Sequence, residues 1–197
     1  MNRRQLLYGT TAAFAATGVA VAAWPFIAQM NQDAHVRAST DVLDWDVSAL
    51  REGNQERKKW RGRPISVVRR TTAILAAMQD KTFLSRLLDL DSQRRQQPAY
   101  ARNWHRSTDP AYAVLVAICT SCGCVPEYVA ETSPLARAGD YHCPCCATRY
   151  DPAGRVYSGL MRFNLAIPPY DFTKPTLLRI GQNAGGEQYR LESVEAI

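Results

Sequence analysis

The chain has 197 residues, 46% of them apolar and 21% charged, and a net charge of +6. That length suits one domain plus appendages. The arginines (Arg51, Arg57, Arg61, Arg63, Arg69, Arg70, Arg94 and Arg95) are spread out rather than gathered in one helix or tail, and no recognition motif accompanies them. This sets nucleic-acid binding aside and reads as a solvated surface facing an acidic partner or anionic lipid.

The N-terminus opens with Arg3-Arg4, and no charged residue follows until Asp33. Leu6 to Met30 is mostly apolar or small. At about 1.5 Å per residue it is long enough to span ~30 Å of hydrocarbon as a helix. Twin arginines before a mildly apolar segment suggest the twin-arginine export route. Ala20-Val21-Ala22 offers a cleavage site, but Trp24-Pro25-Phe26-Ile27 carries the apolar run past it. Residues 1–30 therefore read as a retained, single-pass transmembrane signal anchor. The positive end stays in the cytoplasm, and everything after about residue 33 lies in the periplasm of a bacterial inner-membrane protein. Residues 31–43 read as a flexible neck, and 44–197 as the domain.

Within that domain, Pro64 to Thr71 reads as a β-branched strand, and Ala73 to Leu88 has helix-forming composition at helical spacing. Residues 89–110 are polar and irregular. Ala113 to Ile118 looks like a buried strand leading into Cys119. Short strands are expected at Tyr141-His142, Tyr150-Asp151, Arg155 to Tyr157, Leu177 to Ile180 and Tyr189 to Leu191, with Gly and Pro between them. The expected fold is mainly β: a small antiparallel domain behind one N-terminal transmembrane helix. Arg69-Arg70 reads as a solvated strand edge. Trp45, Trp60 and Trp104 read as packing residues. No catalytic Ser/His/Asp arrangement or phosphate loop is present.

All six cysteines lie between Cys119 and Cys146. The first cluster is Cys119-Thr120-Ser121-Cys122-Gly123-Cys124, and the second is Cys143-Pro144-Cys145-Cys146. Two C-x-x-C pairs, Cys119/Cys122 and Cys143/Cys146, fit a tetrahedral four-thiolate site for zinc or iron, because each knuckle aims two sulfurs at one point. Cys124 and Cys145 remain, one per cluster, available for a disulfide. The competing reading is three disulfides and no metal, with 15 possible connectivities.

The two clusters resemble the paired boxes C-T-H-x-G-C and C-P-C-H-G-S-x-Y/F-D of the Rieske iron–sulfur subunit of cytochrome bc complexes. The likeness extends along the chain: the twin-arginine segment with Trp24-Pro25, Gly62 to Thr71, Gln97 to Asn103, Pro152 to Tyr157, Asn164-Leu165 and Pro168-Pro169-Tyr170. It implies a Rieske-type β-domain with a cluster-binding subdomain at about 114–163. It also implies assembly with cytochrome b and a c-type cytochrome in a quinol–cytochrome c reductase of the respiratory chain. Carried over residue by residue, Cys119 and Cys143 match cysteine ligands to iron. Cys124 and Cys145 match a bridging disulfide, and Thr148 and Tyr150 match hydroxyl donors to cluster sulfurs. The match fails at the histidines, where Ser121 and Cys146 stand instead. His35, His105 and His142 fall on no ligand position. The loop Gly159 to Phe163 lacks the two prolines of the family's covering loop.

That substitution alters the chemistry. Centres with two His ligands have potentials of ~ −150 to +300 mV, against ~ −400 mV for four-Cys ferredoxins. A fall of ~400 mV disfavours reduction by ~7 decades, or ~9 kcal/mol. Imidazoles also take up a proton with the electron, which Ser121 and a metal-bound Cys146 thiolate do not. Ordinary quinol oxidation, and direct quinol contact, are therefore not expected here. Three readings stay open. One is an electron-transfer subunit with an atypical all-Cys two-iron two-sulfur (2Fe-2S) cluster on Cys119, Cys122, Cys143 and Cys146. Another is a structural or assembly subunit held by zinc or by disulfides without metal. The third is a free-standing periplasmic thiol-redox or metal-handling protein.

Overall fold

The computed structural model describes residues 2–30, 42–130, 137–160 and 162–197. It divides into two compact units, an N-terminal helix and a C-terminal domain.

The helix, α1, runs Arg3–Met30. Its apolar side chains are exposed, including Leu7, Phe14, Val19 and Trp24, so it is not a core helix. It is long and apolar enough to cross a membrane. Threonine is tolerated inside it because Thr10, Thr11 and Thr17 donate their hydroxyls back to carbonyls of the preceding turn. Of the expected neck, residues 31–41 lie outside the described residues, as does His35. Leu43 already belongs to a strand.

Among the described residues, the domain has ten strands in three antiparallel sheets. They are β1 Leu43–Asp46, β2 Gln55–Trp60, β3 Arg63–Arg69, β4 Tyr112–Val116, β5 Glu127–Tyr128, β6 Tyr141–His142, β7 Arg149–Tyr150, β8 Val156–Ser158, β9 Tyr170–Lys174 and β10 Leu177–Ile180. The sheet orders are β1-β10-β9, β2-β3-β4 and β5-β6-β7-β8. The β2–β3 hairpin turns tightly through Arg61 and Gly62, at φ 48° and 76°. Two successive positive φ values are what a primed two-residue turn requires, and they suit the twist of the flanking strands. All five residues of β4 are buried, and Val116 donates its N–H to Ala166. This strand carries the chain out of the core directly into Cys119.

Three expectations need correction. The helix over 73–88 is broken into α2 Thr72–Ala77 and α3 Lys81–Leu84. Asp80 between them takes an extended backbone and caps α3, accepting from the Phe83 N–H. A capping aspartate competes with helix continuation. Tyr189 to Leu191 forms no strand; a 3-10 turn starts at Leu191. Arg70 is not a solvated edge but is 3% exposed. Its guanidinium donates to the carbonyls of His105, Pro110, Tyr112 and Pro152, and burial pulls its pKa down to about 10. Arg69 does reach the surface, against Glu52. Of the domain's three tryptophans, Trp45 and Trp60 are core residues, whereas Trp104 is 42% exposed and packs edge-on against His105.

Candidate metal centre

Both cysteine clusters sit in tight loops of the same design. In the first, the Gly123 N–H donates to the Cys119 carbonyl at 2.8 Å, and the Cys119 N–H to the Cys124 carbonyl at 2.7 Å. In the second, the Ala147 N–H donates to the Cys143 carbonyl at 2.9 Å, and the Cys143 N–H to the Thr148 carbonyl at 2.9 Å. The residue after the second cysteine has positive φ in each loop, 74° at Gly123 and 55° at Ala147. Glycine takes that conformation freely; alanine does so only where its surroundings hold it there. The first loop follows β4, and the second closes the β6–β7 hairpin. Each therefore hangs from a hydrogen-bonded strand.

Cys124 and Cys145 are joined by a disulfide with a Cα–Cα separation of 6.4 Å. Cys119, Cys122, Cys143 and Cys146 are free. Their four Sγ atoms lie within 4.8 Å of one another, and no imidazole belongs to that group among the described residues. Cys119 and Cys146 are 3.5 Å apart, Cys122 and Cys143 3.4 Å, and Cys122 and Cys146 3.3 Å. Cys119 and Cys143 are buried, Cys146 is half-buried and Cys122 is exposed. The set is thus anchored on the core side and open to solvent at one corner. The thiol of Cys143 is pushed up to about 12, chiefly by burial. At Cys146 burial also opposes ionisation, but hydrogen bonds to Thr148 and to the thiols of Cys122 and Cys143 bring it down to about 6.

Ser121 does not join the sulfurs. Its hydroxyl lies 3.1 Å from Thr148 Oγ1, which in turn lies 3.1 Å from Cys146 Sγ. Tyr150 reaches the other side of the site, with its hydroxyl 3.3 Å from Cys119 Sγ. The same oxygen accepts from the Thr120 N–H at 3.1 Å and lies 3.0 Å from Thr120 Oγ1. Thr120 Oγ1 donates to the Phe163 carbonyl, so the Tyr150 proton is left for the sulfur or for Thr120. A thiolate is the stronger acceptor of the two. His142 stands in the sheet opposite Glu127 and Arg149, and His105 contacts Ser107.

Sequence reasoning missed Thr120, which ties the first cysteine loop to Tyr150 and to the Phe163 carbonyl. It also missed Gly159, where an added Cβ would sit 2.6 Å from Thr148 Oγ1. Only the bare backbone of that loop lets Thr148 reach Cys146. Beneath the site, Asp151 and Arg155 form a fully buried ion pair, and the Asp151 carboxylate also accepts the N–H of Ala153 and of Arg155. Arg106, buried as well, donates to the Ala153 and Leu165 carbonyls. The turn behind the second cysteine loop is therefore held by three buried guanidinium groups, those of Arg70, Arg106 and Arg155.

Known proteins resemble the chain over nearly all its length. It is 38% identical over 188 residues to the ubiquinol–cytochrome c reductase iron–sulfur subunit of Allochromatium vinosum, covering 93% of this chain and 90% of that one. The subunit of the same name from Rhodospirillum rubrum is 39% identical over 182 residues, covering 91% of each. The chain belongs to the family of ubiquinol–cytochrome c reductase iron–sulfur subunits. The family model "Ubiquitinol-cytochrome C reductase Fe-S subunit TAT signal" matches residues 1–33. A solved hyperthermophilic respiratory Complex III shares the fold, with a TM-score of 0.50 at 20% identity over 86% of this chain and 96% of that one. Family membership and the apolar α1 together suggest membrane anchoring, and they imply partners within a bc complex. As an iron–sulfur subunit this chain is unusual in its donors. A cluster with two imidazole ligands does not fit residues that offer four thiols, a serine and no histidine.

Proposed function

We propose that this protein is a membrane-anchored, Rieske-like subunit of a ubiquinol–cytochrome c reductase complex, and that its head carries a four-thiolate metal centre that does not oxidise quinol in the ordinary high-potential way. The observation that carries the reading is the convergence of Cys119, Cys122, Cys143 and Cys146 where the family's boxes call for two histidines. In this reading α1 is kept as a single-pass anchor in a bacterial inner membrane. The domain stands in the periplasm beside the cytochrome b and c-type cytochrome subunits. The Cys124–Cys145 disulfide ties the two loops together, as suits an oxidising compartment.

The four thiols supply charge and softness for zinc or iron. Tyr150 and Thr148 place hydroxyls against Cys119 and Cys146, where they steady thiolate charge and orient the sulfurs. With the thiols bound to metal, none of these groups takes up a proton as a neutral imidazole does on quinol oxidation. Purification of the full-length chain from its native membrane in mild detergent tests the assembly. A b-type and a c-type cytochrome should accompany it. Recovery of the chain alone, with the cytochromes intact elsewhere in the membrane, would refute the reading.

A further inference from the structure

We infer that the four thiols hold a single tetrahedral ion, zinc or iron, rather than a two-iron two-sulfide cluster. This rests on the four-thiolate reading above and adds the number of metals to it.

The sulfur separations carry the inference. At a metal–sulfur distance of about 2.3 Å, a regular tetrahedron sets every sulfur–sulfur edge at about 3.8 Å. Three of the six edges here are 3.3–3.5 Å, and none exceeds 4.8 Å. A two-iron rhomb makes a different demand. The metal–metal separation adds to the spread, so thiolates on different irons stand roughly 5.5 Å or more apart. Four thiols can be divided between two irons in three ways. If each loop serves its own iron, all three short edges run between irons. If Cys119 and Cys143 share one iron, the short Cys119–Cys146 and Cys122–Cys143 edges do. If Cys119 and Cys146 share one, the Cys122–Cys146 edge, the shortest of all, does. No division leaves room for the second metal and its sulfides.

The loops agree with the sulfurs. Both place the second cysteine three residues after the first and the positive-φ residue four after it, and both close with the same pair of backbone hydrogen bonds. Two like loops facing each other give four like ligands around one point. Placing the ligand at Cys122 rather than Ser121 is what makes the first loop match the second.

Metal and acid-labile sulfide, counted per chain in the full-length protein purified anaerobically in mild detergent, test this. One zinc or iron ion with no labile sulfide is expected, with X-ray absorption showing sulfur scatterers alone and no metal–metal vector. Cys122→Ser should reduce the metal content to near zero while Ser121→Ala keeps it. Two irons and two sulfides per chain would overturn the inference and leave the four-thiolate reading standing. Absence of metal from the freshly isolated protein, with the four cysteines oxidised to disulfides, would overturn both.

Discussion

The Sγ atom of Cys122 lies against both Cys143 and Cys146, whereas the hydroxyl of Ser121, one residue earlier, turns to Thr148. Sequence spacing favoured Cys122 over Ser121 as the ligand, but it required a one-residue shift of register, which is decided by the backbone. Gly123 at positive φ and the bonds from Cys119 to Cys124 and from Gly123 to Cys119 make that choice. The hydroxyls of Thr148 and Tyr150 were legible from the second box, but Thr120 was not. Its role depends on Phe163, 43 residues away. We expect Tyr150→Phe and Thr148→Val each to weaken metal retention by about 10-fold or more, as loss of a hydrogen bond to a ligand typically does. Competition with a chromophoric chelator measures this, and unchanged retention in both variants would mean that the hydroxyls do not support the sulfurs.

At the scale of elements, the second cysteine loop rests on a turn pinned by buried charge. Breaking a buried ion pair by neutralising one partner leaves the other charge uncompensated, at about 3–5 kcal/mol. Asp151→Asn should therefore lower the unfolding free energy by that much, far more than removal of an exposed pair such as Arg179–Asp44. Equal effects on chemical denaturation would contradict the role given to Asp151. The disulfide closes a separation of 21 residues, for which loop-closure entropy gives about 3 kcal/mol. Replacing both Cys124 and Cys145 by serine should lower stability by about that amount, and unchanged denaturation curves would show that the loops hold without it. The strands were readable because β3 and β4 are β-branched and buried. Arg70 was not, since a side chain's charge does not disclose the carbonyls that four distant residues will bring to it. Nor did helical spacing over 73–88 disclose the break, which needs only the competing cap at Asp80.

For the whole molecule, the sequence separated an anchor from a β-domain because the two have different solvents. The 28-residue α1 exposes apolar side chains such as Leu7, Phe14, Val19 and Trp24, which water would disfavour and lipid would accept. Alkaline carbonate washing should leave the full chain in the membrane pellet; its release to the supernatant would contradict a retained anchor. The domain is that of its family, yet its centre has lost the groups that couple an electron to a proton. Family membership therefore implies partners within a bc complex, while the site decides what the chain does there. The most direct test is to add quinol to the purified complex, with this chain as its sole iron–sulfur subunit, and to follow its metal centre by low-temperature paramagnetic resonance alongside cytochrome c reduction. We expect no quinol-dependent signal from the centre and no antimycin-type-inhibitor-sensitive reduction of cytochrome c. Rapid reduction of a high-potential centre, matched by cytochrome c turnover, would contradict the account.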